Sequence, residues 1–225
     1  PDLQVFIAKD AQTGLELAAK GGHNAESHNH NDVGNIVLFR GEEPVFIDGG
    51  VATYTKTTFS DKRYTLWTMR SVYHNLPVID GVEQRAGRQF QATEPTCDGE
   101  SVHYTLTDAY PGEAGIEKYT RASRLTENGA EVVDTLSLTE GKPVSWHWLT
   151  VSKPEIDGNT LFFPQANVRV TFAAEVPLVI TTVPVDLEND KKLNGEWGTN
   201  TLCRIDVTAE KWRAGVFTMA AESII

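Results

Sequence analysis

The sequence has few cysteines, few basic residues and no long apolar run. Its two cysteines, Cys97 and Cys203, allow at most one disulfide, and we expect both to be free thiols. No run of about 18 apolar residues occurs, so no transmembrane helix is predicted. The 31 acidic residues outnumber the 20 basic ones, and the net charge of −11 disfavours nucleic acid and anionic membrane surfaces as partners.

The start of the chain, PDLQVFIAKD, lacks the basic and apolar regions of a signal peptide. It opens inside a predicted strand and without Met, so we expect the chain to be a fragment of a longer protein. A length of 225 residues suits one large all-β domain or two small ones, because sandwiches often run to about 200–250 residues.

Short apolar runs separated by turn residues dominate the chain. Candidate strands near the start lie at residues 5–8, 14–20, 35–40 and 44–50. The last two are joined by GEE and are predicted to form a hairpin, and ENGA turns a second hairpin further on. After Gly81, strand patterns recur at roughly ten-residue spacing. This pattern predicts an all-β fold, a large antiparallel β-sandwich, as a single domain over residues 1–225.

Two stretches depart from the strand pattern. Residues 58–75 are the one predicted helical segment, because Tyr64, Trp67 and Val72 follow a partial helical period. Residues 185–200 are the longest polar connection and are predicted to be a surface loop.

Half of the six histidines fall in one polar stretch, HNAESHNHNDVGN, which begins at His23. His28 and His30 would share one face of a strand, because strand side chains alternate, but would diverge on a loop. Asp48 ends a predicted strand in IDGG, and His74 follows in VYHN. Imidazoles and a carboxylate from separate segments are ligands that zinc takes, with a position left for water. Chance placement of loop histidines is the alternative.

Cupin-type metal barrels also carry an HxH pair on a β-scaffold, usually with a Glu a few residues later. Here the pair is followed by NDVG at residues 31–34, and that Glu is absent. A cupin-like metalloenzyme is therefore a weaker interpretation.

Several polar residues have both a binding and a structural interpretation. His23 and Glu26 either line a substrate cleft or are plain loop residues. Gln84, Arg85 and Arg88 could hold a sugar carboxylate, which arginine binds through two hydrogen bonds, or could lie on an ordinary surface strand.

Three neighbouring residues of VSWHWLTV are expected to be structural. Trp146 and Trp148 could stack on sugars, but their alternate strand positions favour the core. His147 then points to the opposite face, where we expect a structural hydrogen bond.

Separated motifs, in order, carry a family resemblance. GGHNAESHNHNDVGNIVLFRGEEPVFIDGG, a Tyr-bearing segment and VYHNLPVIDG resemble the heparinase II/III-like C-terminal domain of bacterial polysaccharide lyases. The resemblance covers about residues 20–90, and only the general strand character matches from 90 to 225. It implies a lyase-type super-sandwich whose complete enzyme adds an N-terminal α/α-toroid, absent here, with the active cleft between the two. A periplasmic or secreted location is favoured over a cytoplasmic one.

The resemblance also implies roles for individual residues. His30, Asp48 and His74 match the three protein ligands of the family's metal, usually zinc. His28 matches a catalytic histidine of the sandwich, and Tyr64 lies where some members place a second active-site tyrosine.

The implied reaction is β-elimination in an acidic polysaccharide that contains uronic acids. A base removes the proton on C5 and an acid protonates the oxygen that leaves C4, while positioned donors stabilise charge on the carboxylate. His28 would serve there as charge stabiliser or as acid and base, with toroid tyrosines as the other candidates. The alternative is a non-catalytic carbohydrate-binding or scaffold module, which would need the metal ligands but not His28.

Overall fold

The computed structural model describes residues 3–224, and most of them lie in antiparallel strands. The strands are β1 (Val5–Lys9), β2 (Leu15–Lys20), β3 (His23–Asn24), β4 (Ile36–Arg40), β5 (Glu43–Phe46), β6 (Pro77–Ile79), β7 (Gly87–Gln91), β8 (Thr93–Cys97), β9 (Ser101–Thr105), β10 (Ile116–Thr126), β11 (Gly129–Thr150), β12 (Glu155–Asp157), β13 (Thr160–Phe163), β14 (Val168–Ala174), β15 (Val179–Asp186) and β16 (Thr201–Ser223). The α-helix α1 spans Lys191–Trp197. Short 3-10 helices span Thr57–Phe59, Arg63–Thr65, Trp67–Met69, Ser71–Tyr73, Thr107–Ala109 and Gly112–Ala114.

The described strands form two large sheets and one short pair. The first sheet has the order β1-β2-β4-β5. The second has the order β12-β13-β14-β16-β11-β10-β9-β8, with β15 added to β16 and β6 added to β11. Strands β3 and β7 pair with each other beside these sheets. Both predicted hairpins are confirmed, since β4 pairs with β5 and β10 pairs with β11.

The two large sheets share one hydrophobic core, which is the arrangement of a sandwich. Phe46 of the first sheet packs against Trp148 and Phe163 of the second, at ring-centroid distances of 4.8 and 5.6 Å. Trp146 stacks on Phe217 at 4.1 Å. The predicted all-β antiparallel sandwich is therefore confirmed, and both tryptophans of VSWHWLTV lie in the core, as expected.

The second half of β11 is covered on both faces. Its core-facing side carries the two tryptophans, and its other side carries Leu149, which belongs to a smaller apolar cluster with Ile47 and Leu193. His147 also lies on that other side, and its Nδ1 is 2.7 Å from Asp206 Oδ1, which is the structural hydrogen bond expected from the sequence. The 3-10 turns that precede β6 and the helix α1 pack over this other side of β11.

Two regions differ in detail from the sequence prediction. Residues 58–75 do not form one helix but four consecutive 3-10 turns between Thr57 and Tyr73. The predicted surface loop at 185–200 is wrong in part, because it contains α1. That helix forms because Asp190 caps its N-terminus and Gly198, at φ +65°, ends it.

The two cysteines are free, with Cys97 exposed and Cys203 buried. None of the helices within residues 3–224 is both long enough and apolar enough to cross a membrane.

Candidate metal and active site

The histidine-rich stretch is a loop between β3 and β4, so its two closest histidines diverge. His28 adopts a left-handed conformation with φ of +60° and is exposed. His30, two residues later, is only 7% exposed and points inward. The sequence left strand and loop open for this pair, and the loop geometry separates a buried imidazole from an exposed one.

Buried amides hold this loop in place. Gln84 accepts hydrogen bonds from Asn24 Nδ2 and the Val33 amide at 3.0 and 3.1 Å, and donates to the Val33 carbonyl at 2.7 Å. Asn24 Oδ1 in turn accepts from the Asp32 amide at 3.2 Å. Gln84 is 3% exposed, so it clamps the loop and is not available to bind a sugar.

His30, Asp48 and His74 come together from three separate segments. Each offers one ligand atom, and these atoms all lie within 4.8 Å of one another. Asp48 follows directly after Ile47, whose amide donates to the Leu149 carbonyl at 2.8 Å and so anchors the carboxylate to the large sheet. The structure thus brings together the three residues that the family resemblance implied as metal ligands.

The environment of His74 fits a metal ligand. Its side chain is 1% exposed, and neither ring nitrogen has a hydrogen-bond partner in the described part of the chain. Nδ1 lies 3.0 Å from Asp48 Oδ2, but without the geometry of a hydrogen bond. Buried polar nitrogens without partners are costly, and a cation held between one ring nitrogen of His74 and the carboxylate would give that nitrogen a partner. Two imidazoles and one carboxylate match the donor set of zinc.

Burial and mutual electrostatics shift the pKa values of all three groups. Burial lowers the pKa of His30, and the nearby His74 lowers it further. Burial also acts to lower the pKa of His74, but attraction to Asp48 outweighs it and raises the pKa. Burial alone would raise the pKa of Asp48, yet the two imidazoles hold it well below its usual range. The carboxylate is therefore ionised near neutral pH, as a metal ligand must be.

Two asparagines that the sequence reasoning missed orient the cluster. Asn35 Nδ2 donates to Asp48 Oδ2 at 2.9 Å, and Asn35 Oδ1 accepts from the Asn75 amide at 2.9 Å. The Asn75 side chain donates to the Ile47 carbonyl at 3.0 Å and accepts from the Leu149 amide at 2.8 Å. Both asparagines stand close to candidate ligands in the sequence, in VGN and in VYHN. That position alone does not indicate a role, because asparagine is also common in turns.

Tyr64 contacts the loop at the residue between the exposed and the buried histidine. Its hydroxyl donates to Asn29 Oδ1 at 3.3 Å, and Asn29 is the residue between His28 and His30. Arg63 donates to the Asn29 carbonyl at 2.8 Å. The second 3-10 turn therefore brings a phenol and a guanidinium to the loop that exposes His28.

The predicted substrate-binding residues separate into two groups. His23, Glu26 and Arg88 line one cleft of about 530 Å³, together with Gln91. Arg85 is directed elsewhere, because its guanidinium lies 3.0 Å from Glu113 on the exposed surface.

Comparison with known proteins identifies the family of this fold. Residues 3–197 match the family described as heparinase II/III-like, C-terminal. No curated protein sequence matches the chain. The heparinase III BT4657 gene product superposes with a TM-score of 0.71 at 12% identity, over 98% of this chain and 34% of that one. The heparan sulfate lyase HepC from Pedobacter heparinus gives 0.67 at 14% identity, over 93% of this chain and 33% of that one.

A third solved structure shows how widely the sandwich occurs. The 4-alpha-glucanotransferase from Thermococcus litoralis superposes with a TM-score of 0.55 at 13% identity, over 98% of this chain and 37% of that one. Such identities show a shared fold alone. The chain spans about a third of the length of the two lyases. Because the family match extends over most of its sequence, the chain belongs to the heparinase II/III-like C-terminal domain family.

Proposed function

We propose that this chain is the metal-bearing β-sandwich domain of a polysaccharide lyase that cleaves uronic-acid-containing glycans by β-elimination. The observation that carries the proposal is the His30–Asp48–His74 cluster, in which both imidazoles are buried and both ring nitrogens of His74 lack partners among the described residues. Its similarity to a heparan sulfate lyase supports an acidic polysaccharide as the substrate.

His30, Asp48 and His74 are the residues that would hold one divalent metal, and their two imidazoles and one carboxylate match the ligands of zinc. When bound, that ion supplies positive charge and a fixed anchor for three segments of backbone. His30 then fixes the end of the loop whose exposed part carries His28, so the ligand and the outward-facing imidazole have separate roles.

His28 is the residue that we assign to the reacting sugar. An exposed imidazole can donate a hydrogen bond to the sugar carboxylate, or accept and return a proton, near neutral pH. Tyr64 is the second candidate, because its hydroxyl is held at Asn29, the next residue in the loop. A donor at the carboxylate lowers the barrier to removing the C5 proton, since negative charge develops there in the transition state.

The cleft beside the loop is the proposed subsite for a neighbouring sugar. Arg88 and His23 bring positive or polar character to a chain of net charge −11, which would otherwise repel an acidic glycan. Glu26 in the same cleft offers carboxyl oxygens that can accept hydrogen bonds from sugar hydroxyls. Arg85 lies on the exposed surface in an ion pair and remains the weaker candidate for this role.

The rest of the active cleft would come from an N-terminal α/α-toroid of the same protein. The lyases that superpose on this chain are about three times as long, which leaves room for such a domain. We therefore propose that the 225-residue chain alone is inactive, and that the complete protein acts in the periplasm or outside the cell.

The test is His28→Ala in the complete protein, with formation of the unsaturated uronate product followed by ultraviolet absorbance. We expect the variant to retain its metal and to lose at least about a hundredfold in activity. His103→Ala, on strand β9, is the matched control and should leave activity unchanged. Full activity of the His28 variant would refute its catalytic role. A wild-type protein that binds uronate polysaccharides without cleaving any would favour the alternative of a carbohydrate-binding module.

A further inference from the structure

A buried ion pair lies in the core behind the His30–Asp48–His74 cluster. Arg121 of β10 and Asp134 of β11 face each other across the two strands, and both side chains are fully buried. Arg121 Nε and Nη2 donate to the two carboxylate oxygens at 2.7 Å each. Trp146 Nε1 also donates to Asp134, at 2.8 Å. The carboxylate therefore fixes the plane of the guanidinium.

The remaining nitrogen of Arg121 reaches the two backbone segments that carry the histidine ligands. Nη1 donates to the Gly34 carbonyl at 2.9 Å and to the Asn75 carbonyl at 2.6 Å. Gly34 lies four residues after His30, and Asn75 directly follows His74. One guanidinium thus joins the two segments from within the core.

These two contacts continue to the third ligand. The Gly34 carbonyl belongs to the peptide group that leads into Asn35, and Asn35 donates to Asp48. The amide of Asn75 donates to Asn35 as well. Arg121 therefore fixes the backbone on both sides of the amide bridge that holds the carboxylate.

We infer that Arg121, oriented by Asp134, is a positioning residue for the three proposed metal ligands. The inference rests on the proposed metal site and deepens it. Arg121 does not touch the ligand atoms, and it acts through the backbone that carries them. Residues that orient metal ligands commonly change metal affinity by about 10–100-fold when removed.

Stability alone is a poor reason for this pair. The free energy lost when both charges are removed from water offsets much of the gain from their attraction. Apolar replacements of similar size are therefore often neutral or stabilising. What an apolar core cannot supply is a rigid donor aimed at two carbonyls at once. The planar guanidinium of Arg121 provides that donor, and the carboxylate of Asp134 keeps the guanidinium in place.

The test is the double variant Arg121→Met/Asp134→Asn of the full chain. It removes both charges together, keeps the side-chain volume and leaves an acceptor for Trp146. Arg40→Met is the matched control, because Arg40 also donates to several carbonyls, at Thr13, Ala166, Asn167 and Ile224, away from the cluster. Zinc affinity is measured by competition with a chelator, and site geometry by the visible absorption of the cobalt form.

We expect the double variant to bind zinc about 10–100-fold more weakly, with an altered cobalt spectrum. The control should lose some resistance to urea but keep zinc affinity and spectrum. A folded double variant with the affinity and spectrum of the wild type would overturn the inference.

Hydrogen exchange in the metal-free chain separates this inference from the proposed function. Without Arg121, amides at residues 34–36 and 74–76 should exchange at least tenfold faster, while those of Arg40→Met at the same positions should not change. If the wild type binds no zinc, the metal proposal fails, and this local exchange still decides the role of Arg121. Unchanged exchange there would refute it.

Discussion

At the scale of single residues, the most informative contrast is between two histidines that are separated by a single residue. His30 is buried next to Asp48 and His74, whereas His28 is exposed and its backbone adopts a positive φ. Residue types and spacing could not reveal this, since an extended strand would have placed both on one face. The loop conformation, left-handed at position 28, leaves one imidazole in the His30–Asp48–His74 cluster and the other at the surface.

A second residue-scale feature, the Asp206 carboxylate away from the site, makes the stability of the fold depend on pH. Burial would raise the pKa of Asp206, but hydrogen bonds from His147 and Arg204 outweigh it and lower the pKa to about 2. A carboxyl group whose pKa is lower in the folded state stabilises that state at higher pH. The contribution is fully present above the ordinary pKa of about 4 and is lost as the pH falls through about 2.

Asp206→Asn tests this dependence. Near pH 7 we expect the free energy of unfolding in urea to fall by about 2 kcal/mol relative to the wild type. The difference should shrink as the pH falls toward 2. Asp157→Asn, in the exposed β12–β13 hairpin, is the control and should change little at any pH. A difference that is constant with pH would show that the Asp206 charge is not the cause.

At the scale of elements, α1 shows how a polar stretch can fold against a core. The predicted loop at 185–200 has little apolar periodicity, but Leu193 is fully buried in the smaller apolar cluster with Leu149. Asp190 accepts from the amides of Lys192 and Leu193, and also from the amide and hydroxyl of Thr53 at 2.9 Å each. One carboxylate therefore starts the helix and fastens the segment that follows Asp48.

Asp190→Ala should lower the free energy of unfolding by about 1–2 kcal/mol, because a helix cap and two further hydrogen bonds are lost. Amides at residues 51–56 should exchange faster in the same variant. Asp98→Ala is the matched control, since Asp98 accepts from two backbone amides in an exposed turn. It should leave exchange at 51–56 unchanged. Equal exchange at 51–56 in wild type and Asp190→Ala would contradict the link to Thr53.

At the scale of the whole molecule, stability depends on the packing of one large sheet against the other. Phe46 is fully buried and contacts both Trp148 and Phe163 across the sandwich. Phe46→Ala should cost about 3–5 kcal/mol in urea unfolding, because it leaves a cavity between the sheets. Phe59→Ala, at a residue 70% exposed, should stay within about 0.5 kcal/mol of the wild type. Similar losses in both variants would contradict this account of the core.

The sequence predicts much of this architecture, because sheet structure follows from local alternation and turn chemistry. Both hairpins and the buried tryptophans of β11 come from such local signals. The ties within the site could not be predicted in the same way. Asn75, Gln84 and Arg121 act through partners 28 to 87 residues distant along the chain, and no local pattern specifies such contacts.

Residue types and the order of motifs that the family shares predict the grouping of His30, Asp48 and His74, whereas their spacing does not. His74 is 44 residues from His30, and no rule of chain geometry relates such positions. The helical period in 58–75 was partial because the segment makes separate 3-10 turns, which place Tyr64 at Asn29 and His74 at the cluster.

The most direct test of the central claim is the metal content of the purified chain after loading with zinc and removal of the excess. We predict one zinc per chain in the wild type, and far less than one in His30→Ala and His74→Ala, because each loses one of the three ligands. His147→Ala removes a buried histidine outside the cluster and should keep the full equivalent. A wild-type chain without bound metal, or a His74→Ala chain that retains a full equivalent, would contradict the claim.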